Sequence, residues 1–140
     1  MDAGVEFLCG TRPVGFRASF ITDTLNRSNG QELTLLAITG APLGGGGVIL
    51  FGIGPRYLSQ NRTDYYYGVR LSESTLTRPA YRPPATWNLE INITGIFNFG
   101  AKWRLFAMMD RESFGSGIED SPLIEQASSY SFISSLKYRF

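Results

Sequence analysis

The sequence predicts an all-β fold, an antiparallel meander of about seven strands that forms a transmembrane β-barrel. Apolar and polar side chains alternate along several segments, and the connections between these segments differ regularly in length. Aromatic residues gather near both ends of the same segments. Alternation with a period of two residues indicates strands and not helices. Two-faced strands with unequal connections at their two ends are typical of membrane-spanning barrels.

The clearest predicted strand is residues 85–99, with the sequence ATWNLEINITGIFNF. Its apolar residues occupy odd positions, and polar residues occupy the even positions, with Ile96 as the exception. The odd-numbered set is Trp87, Leu89, Ile91, Ile93, Phe97 and Phe99. Successive side chains of a strand point to opposite faces, so this segment has one apolar face and one polar face.

Two further segments show the same alternation, residues 14–22 and the C-terminal residues 128–140. Looser alternation predicts strands at 4–10, 32–39, 48–59 and 103–111. Several of these segments reach the roughly 9–11 residues that a membrane-spanning β-strand needs.

The connections are short or glycine-rich at one end of the sheet and longer at the other. The short group is 10–13, 41–47 and 100–102; the longer group is 60–84 and 112–126, with 26–30 intermediate. Barrels of the bacterial outer membrane have tight periplasmic turns and longer extracellular loops. The pattern therefore predicts the outer membrane of a Gram-negative bacterium, with the membrane lipid as a partner.

Aromatic residues are expected to form girdles at the two membrane interfaces. The predicted girdle consists of Trp87 at the long-loop end and of Phe99, Trp103 and Tyr138 at the short-turn end. A water-soluble antiparallel sandwich would also show alternation. Two observations favour the barrel: no predicted helix could cover the apolar face of residues 87–99, and the chain ends on Phe140.

Composition excludes several classes of function. The net charge of +1 over 140 residues provides no excess of cations to neutralise a nucleic acid. The chain has one cysteine and no histidine, which excludes histidine-based triads, zinc–histidine sites and CxxC motifs. The stretch GAPLGGGGVIL lacks the Lys-Ser/Thr pair of a phosphate loop. No catalytic residue, cofactor or metal ligand is predicted, and the protein is not expected to be an enzyme.

Charged residues fall on the polar faces of the predicted strands and would point into a barrel lumen. They are Arg17, Glu32, Arg56, Glu90, Arg104, Lys137 and Arg139. Such mixed charges could line a pore or pair across strands. Pairing is favoured in a narrow barrel, because side chains fill its interior.

Four local motifs occur in a recognisable order: YYYGV at 65–69, RPAYRP at 78–83, DSPLI at 120–124 and the closing YRF at 138–140. Together they resemble the C-terminal half of the MipA/OmpV family of outer-membrane β-barrels. The loop residues that carry the resemblance are Tyr66, Tyr67, Gly68, Val69, Pro79, Tyr81, Pro83, Ser121 and Pro122.

The resemblance implies a scaffold or interaction protein linked to murein synthesis. The family is named for a protein that interacts with a lytic transglycosylase, and it implies a lytic transglycosylase and a murein synthase as partners. The alternative is a porin-like channel or an adhesin-type barrel. Residues 1–140 are expected to form a single β-barrel domain that is incomplete, because the signal peptide and first strands of the family are absent from the sequence.

The C-terminal strand carries a further expectation. Leu136, Tyr138 and Phe140 share its apolar face. A terminal Phe with an aromatic residue two positions earlier resembles the signal by which the outer-membrane assembly machinery recognises its clients. These three residues are therefore predicted to act as lipid contacts and as an assembly signal.

Overall fold

The structure, a computed structural model, describes residues 1–11 and 13–140. The described residues form a single seven-stranded sheet in which each strand pairs antiparallel with the next in sequence order. The strands are β1 Asp2–Thr11, β2 Val14–Asp23, β3 Gln31–Leu43, β4 Gly47–Leu58, β5 Thr86–Phe99, β6 Trp103–Ser113 and β7 Ser128–Tyr138. The predicted all-β antiparallel meander is confirmed.

The turn between β3 and β4 is shorter than the sequence predicted. Residues 41–43 extend β3, with Pro42 paired to Val48, and only a single 3₁₀ turn at Gly44–Gly46 connects the strands. Gly45 and Gly46 adopt φ of 73° and 77°, which glycine reaches without steric cost. The prediction of a connection over 41–47 was therefore too wide, because residues 41–43 pair with β4 although they adjoin the glycine run.

The two long connections contain helices that the alternation did not predict. α1, Gln60–Tyr67, follows β4, and α2, Ser116–Glu119, follows β6. The sequence of α1, QNRTDYYY, has no apolar repeat of helical period, so its helix depends on tertiary packing and not on an amphipathic pattern. Within residues 1–11 and 13–140 no helix combines the length and apolarity needed to cross a membrane.

The sheet buries its polar face and exposes its apolar face. Glu32, Thr34, Asn88 and Asn92 are buried, whereas large apolar side chains of the opposite face remain exposed. The exposed set includes Phe7, Phe16, Phe51, Ile53, Trp87, Ile93, Met109 and Phe132. Large exposed apolar surfaces mark contact with a partner or a membrane. We call the buried face the inner face and the exposed face the outer face.

The inner face surrounds a cavity of about 530 Å³, whose lining includes side chains from all seven strands. The sheet therefore curls around this face, as a barrel wall does. β1 and β7 form the two edges, and within the described residues no ladder joins them. The burial of the polar face, the exposure of the apolar face and the curl of the sheet are consistent with an outer-membrane β-barrel. In this structure the sheet is open.

Candidate functional site

The inner face carries an ion-pair network centred on Arg56 of β4. The Nε of Arg56 donates to Glu32 Oε1 at 2.9 Å, and its Nη1 donates to Glu112 Oε2 at 2.8 Å. The second oxygen of Glu112 accepts a hydrogen bond of 2.6 Å from Asn88 Nδ2. The guanidinium on β4 thus bonds to the adjacent β3 and, across β5, to β6, and with Asn88 of β5 the network spans four consecutive strands.

A second, looser pair lies beside this network. Arg17 Nη2 is 3.6 Å from Glu90 Oε1, and Asp110 accepts a hydrogen bond from Ser131. The lining of the cavity contains five carboxylates and two guanidinium groups, so carboxylates are in excess. Of the seven charged residues predicted to face the lumen, four line this cavity and pair across strands: Arg17, Glu32, Arg56 and Glu90.

A third arginine reaches the inner face from outside the sheet. Arg62 belongs to α1, yet its Nη1 is 2.9 Å from Asp2 Oδ2 and its Nη2 is 3.5 Å from Glu32 Oε2. Arg62 is buried, and its Cα lies so close to Gly30 that a methyl group at Gly30 would meet it at 2.8 Å. The first long loop is thereby held against β1 and β3.

The two long loops, residues 59–85 and 114–127, fold together into what we call the loop cap. The ends of the first loop are held by Thr63, whose Oγ1 donates to the Pro84 carbonyl at 2.8 Å. Val69 and Tyr81 exchange two backbone hydrogen bonds of 2.8 and 3.0 Å. These bonds give a loop of low sequence periodicity a defined shape.

Contacts between the two loops involve the family-motif residues. Ser121 Oγ donates to the Tyr67 carbonyl at 2.7 Å, and Tyr81 Oη donates to the Gly117 carbonyl at 3.2 Å. The Tyr67 ring lies 6.2 Å from the ring of Phe114. Burial raises the pKa of the Tyr67 phenol, and nearby Glu112 adds to the effect, so the phenol is neutral at physiological pH.

Most of the motif residues are packed in the cap, but not all of them. Val69, Pro83 and Ser121 are buried, Gly68 donates its backbone N–H to Asp64, and Tyr67, Tyr81 and Pro122 are half-buried. A Cβ on Gly68 would lie 2.4 Å from the Asp64 carbonyl oxygen, so this position requires glycine. Tyr66 and Pro79 are exposed. The motif residues thus mainly shape the cap.

The predicted girdle residues lie on the outer face at both ends of the strands. At the short-turn end Phe99 pairs with Trp103 and Trp103 with Tyr138, whose rings are 4.6 Å apart. At the long-loop end Trp87 packs against Tyr57 at 5.0 Å. Other tyrosines of that end, Tyr65–Tyr67 and Tyr81, belong to the cap.

The C-terminal strand is an edge of the sheet. Leu136 and Tyr138 lie on the outer face, and the Phe140 ring meets the Tyr138 ring edge-on at 5.1 Å. Phe140 is fully exposed. Lys137 pairs with Arg104 on the inner face.

A basic cavity of about 230 Å³ opens at the short-turn end. Its lining includes Lys102, Arg104, Lys137 and Arg139 and no carboxylate. Arg104 donates to Asn98 Oδ1 at 2.9 Å, and Lys102 donates to the Tyr138 hydroxyl at 3.3 Å. None of the ion pairs among the described residues involves these cations. Sequence reasoning placed Arg104, Lys137 and Arg139 in the lumen but did not group them with Lys102.

The arrangement offers binding surfaces. Within residues 1–11 and 13–140 no three Cys, Asp or Glu side chains are grouped so that they could hold a metal ion. Ser121, a hydroxyl that could act as a nucleophile, donates its proton to a backbone carbonyl inside the cap. The inner-face cavity and the basic cavity present charged side chains that could contact a charged partner.

Comparison with known proteins finds a family model and several relatives that match the chain. The family model described as MltA-interacting protein MipA matches residues 1–140. The chain is 26% identical over 141 residues to the MltA-interacting protein of Escherichia coli (strain K12), covering 100% of this chain and 56% of the relative. It is 29% identical over 149 residues to the putative outer membrane protein YiaT of the same strain, covering 99% of this chain and 56% of the relative.

A third relative is the outer membrane protein Omp26La of Vibrio anguillarum, which is 24% identical over 121 residues, or 86% of this chain and 47% of the relative. The chain therefore spans about half the length of the curated relatives it matches. These relatives are named as interacting or outer-membrane proteins and not as enzymes. No solved structure matches the chain.

Proposed function

The chain belongs to the MipA family of outer-membrane proteins, and on this basis we propose that it is part of a scaffold that binds murein enzymes at the outer membrane of a Gram-negative bacterium. The family model covers the whole chain, and the relatives from Escherichia and Vibrio are outer-membrane proteins. The name of one relative, MltA-interacting protein, supports a lytic transglycosylase as partner. A murein synthase would be the second partner.

The observation that carries the proposal is the basic cavity at the short-turn end. In an outer-membrane barrel that end faces the periplasm, where murein and its enzymes lie. Four cations and no carboxylate line the cavity. Such a patch attracts an acidic surface, steers its approach and sets its orientation.

A binding experiment with charge reversal tests the proposal. The double variant Lys102→Glu/Arg139→Glu changes the basic cavity, and the control Arg27→Glu/Arg70→Glu changes two arginines at the long-loop end. The side chains of all four residues are exposed. Binding of a purified lytic transglycosylase and of a purified murein synthase is measured by surface plasmon resonance on protein in detergent. We expect the first variant to lose about tenfold or more in affinity, mainly in the association rate, and the second to bind normally. Equal binding by both variants would refute the proposed surface.

A channel is the second candidate function, and the excess of carboxylates around the inner cavity favours it. A lumen lined by carboxylates would select cations. The paired arginines and the loop cap reduce the open path, since Arg62 lies inside the cap against Asp2 and Glu32. Stable cation-selective steps in planar bilayers, increased by Arg62→Gln, would support the channel over the scaffold.

The terminal residues support a further element of the proposal. Phe140 is exposed at the end of an edge strand, and the outer-face residues Leu136 and Tyr138 precede it at two-residue intervals. An exposed edge offers backbone groups for strand addition, which is how extended segments are commonly recognised. We propose that these three residues form the signal for the outer-membrane assembly machinery.

A further inference from the structure

Among the described strand residues, a single charged side chain lies on the outer face of the sheet. Pairing registers place the strand residues on alternate faces, and within the described strands every other charged residue is on the inner face. The inner-face set is Asp2, Glu6, Arg17, Asp23, Glu32, Arg56, Glu90, Arg104, Asp110, Glu112 and Lys137. The exception is Arg111 of β6, which follows Trp103, Leu105, Ala107 and Met109 on the outer face.

Arg111 donates a hydrogen bond to Tyr130, and this contact leaves most of the N–H donors of its guanidinium available. Its Nε donates to the Tyr130 hydroxyl at 3.1 Å, across the β6–β7 ladder in which the two residues are direct partners. None of the ion pairs among the described residues includes Arg111. A guanidinium has five N–H donors, so this contact uses one of them. The remaining N–H donors of the guanidinium can bind an oxyanion.

The position of Arg111 along the strand decides which part of the membrane it meets. Arg111 lies eight residues beyond the girdle residue Trp103. Eight residues of strand span about 27 Å, which a tilt of about 40° reduces to about 20 Å along the membrane normal. The apolar band of an outer-membrane barrel is about 25 Å tall. Arg111 pairs with Ile91, four residues short of the girdle residue Trp87, and therefore lies just inside the band at the long-loop end, from where its long side chain can extend to the lipid headgroups.

We propose that Arg111 and Tyr130 bind a phosphate group of a phosphorylated glycolipid in the outer leaflet. A guanidinium binds phosphate through two parallel hydrogen bonds. Ser113 and Ser128, paired with each other on the same face and two residues nearer the long-loop end, supply hydroxyls for the sugar. These hydroxyls favour a saccharide headgroup over a simple phospholipid. The inference rests on the outer-membrane placement and orientation used under Proposed function, but not on the scaffold role.

Native mass spectrometry of the protein in neutral detergent tests this site. The probes are a diphosphorylated lipid A, the same glycolipid with its phosphates removed, and phosphatidylglycerol. The variants are Arg111→Gln, Arg111→Lys and Tyr130→Phe, with Arg17→Gln on the inner face of the sheet, outside the basic cavity, as the control. Insertion into liposomes, read from the gel shift between boiled and unboiled samples, is measured for every variant.

We expect the unchanged protein and Arg17→Gln to retain the diphosphorylated glycolipid. Arg111→Gln is expected to lose about tenfold in apparent affinity, and Arg111→Lys and Tyr130→Phe to lose less. Normal retention by an inserted Arg111→Gln protein would overturn the site while leaving membrane placement intact. Equal binding of phosphatidylglycerol, or of the glycolipid without phosphates, would also overturn it. Because Tyr130 is largely exposed, Tyr130→Phe tests the site even if Arg111→Gln fails to insert.

Discussion

Removing the Arg56 side chain should destabilise the sheet, because two inner-face carboxylates would lose their closest cation. Arg56→Met keeps the length of the side chain and removes its charge. Arg56 makes two charge-assisted hydrogen bonds, at 2.9 and 2.8 Å, and each such bond contributes about 1.5–3 kcal/mol. The side chain is 28% exposed, so solvent screens part of this. We expect a loss of about 2–3 kcal/mol in the free energy of unfolding.

The assay is urea unfolding of the protein in lipid vesicles, followed by the fluorescence of Trp87 and Trp103. With a urea slope of about 2 kcal/mol/M, the transition should shift down by about 1–1.5 M. The matched control is Arg17→Met, whose arginine makes one longer contact of 3.6 Å and is more exposed. That variant should lose less than about 1 kcal/mol.

A neutralised network provides the decisive comparison. The triple variant Arg56→Met/Glu32→Gln/Glu112→Gln removes the arginine together with both carboxylates. Replacing a buried ion pair by neutral groups is often nearly neutral, whereas removing one partner is costly. The triple variant should therefore recover most of the stability that Arg56→Met loses. A triple variant no more stable than the single one, or a single variant within about 0.5 kcal/mol of the unchanged protein, would refute the reasoning.

Three further outcomes are expected. Ser121→Ala removes the hydrogen bond to a carbonyl of α1, which should cost about 1–2 kcal/mol locally and speed proteolysis of both cap loops; unchanged cleavage rates would contradict this. Gly115→Ala places a methyl group 2.3 Å from a β5 carbonyl and should cost about 1–3 kcal/mol in urea unfolding, whereas Gly44→Ala meets no atom within 4 Å and should be nearly neutral; similar losses in both would argue against the packing described. Deletion of Phe140 should reduce membrane assembly, measured as the heat-modifiable fraction in cells, more than Lys137→Ser; equal effects would remove the signalling role.

The strands were predictable because alternation is a local property of the sequence. A two-residue period is visible in 85–99 without knowledge of any partner strand, and β5 begins at Thr86 and ends at Phe99 as the structure has it. The same two-residue period could have placed Arg111 on the outer face, because Arg111 continues the odd-numbered series that begins at Trp103. The looser alternation of 103–111 concealed it, because an arginine on an apolar face looks like the end of a strand.

The loop cap was not predictable as a structure. Its central contact joins Ser121 to Tyr67, residues 54 positions apart, and no local pattern reports such a contact. The helix α1 has no apolar repeat, and the burial of Arg62 depends on Asp2 and Glu32 in distant strands. The motif residues could be named from the sequence, but not their packing.

The pairing order of the sheet sets a parity rule. In a meander in which each ladder is antiparallel, the first and seventh strands run in the same direction. Any set of strands that links β7 back to β1 through antiparallel ladders must therefore contain an odd number of members, which makes the closed total even. If two copies of the chain were inserted with the same orientation, β7 of each copy would run parallel to β1 of the other. Within one copy, β1 and β7 could likewise pair only through a parallel ladder. Direction, and not only the number of hydrogen bonds, determines which partners can complete the wall.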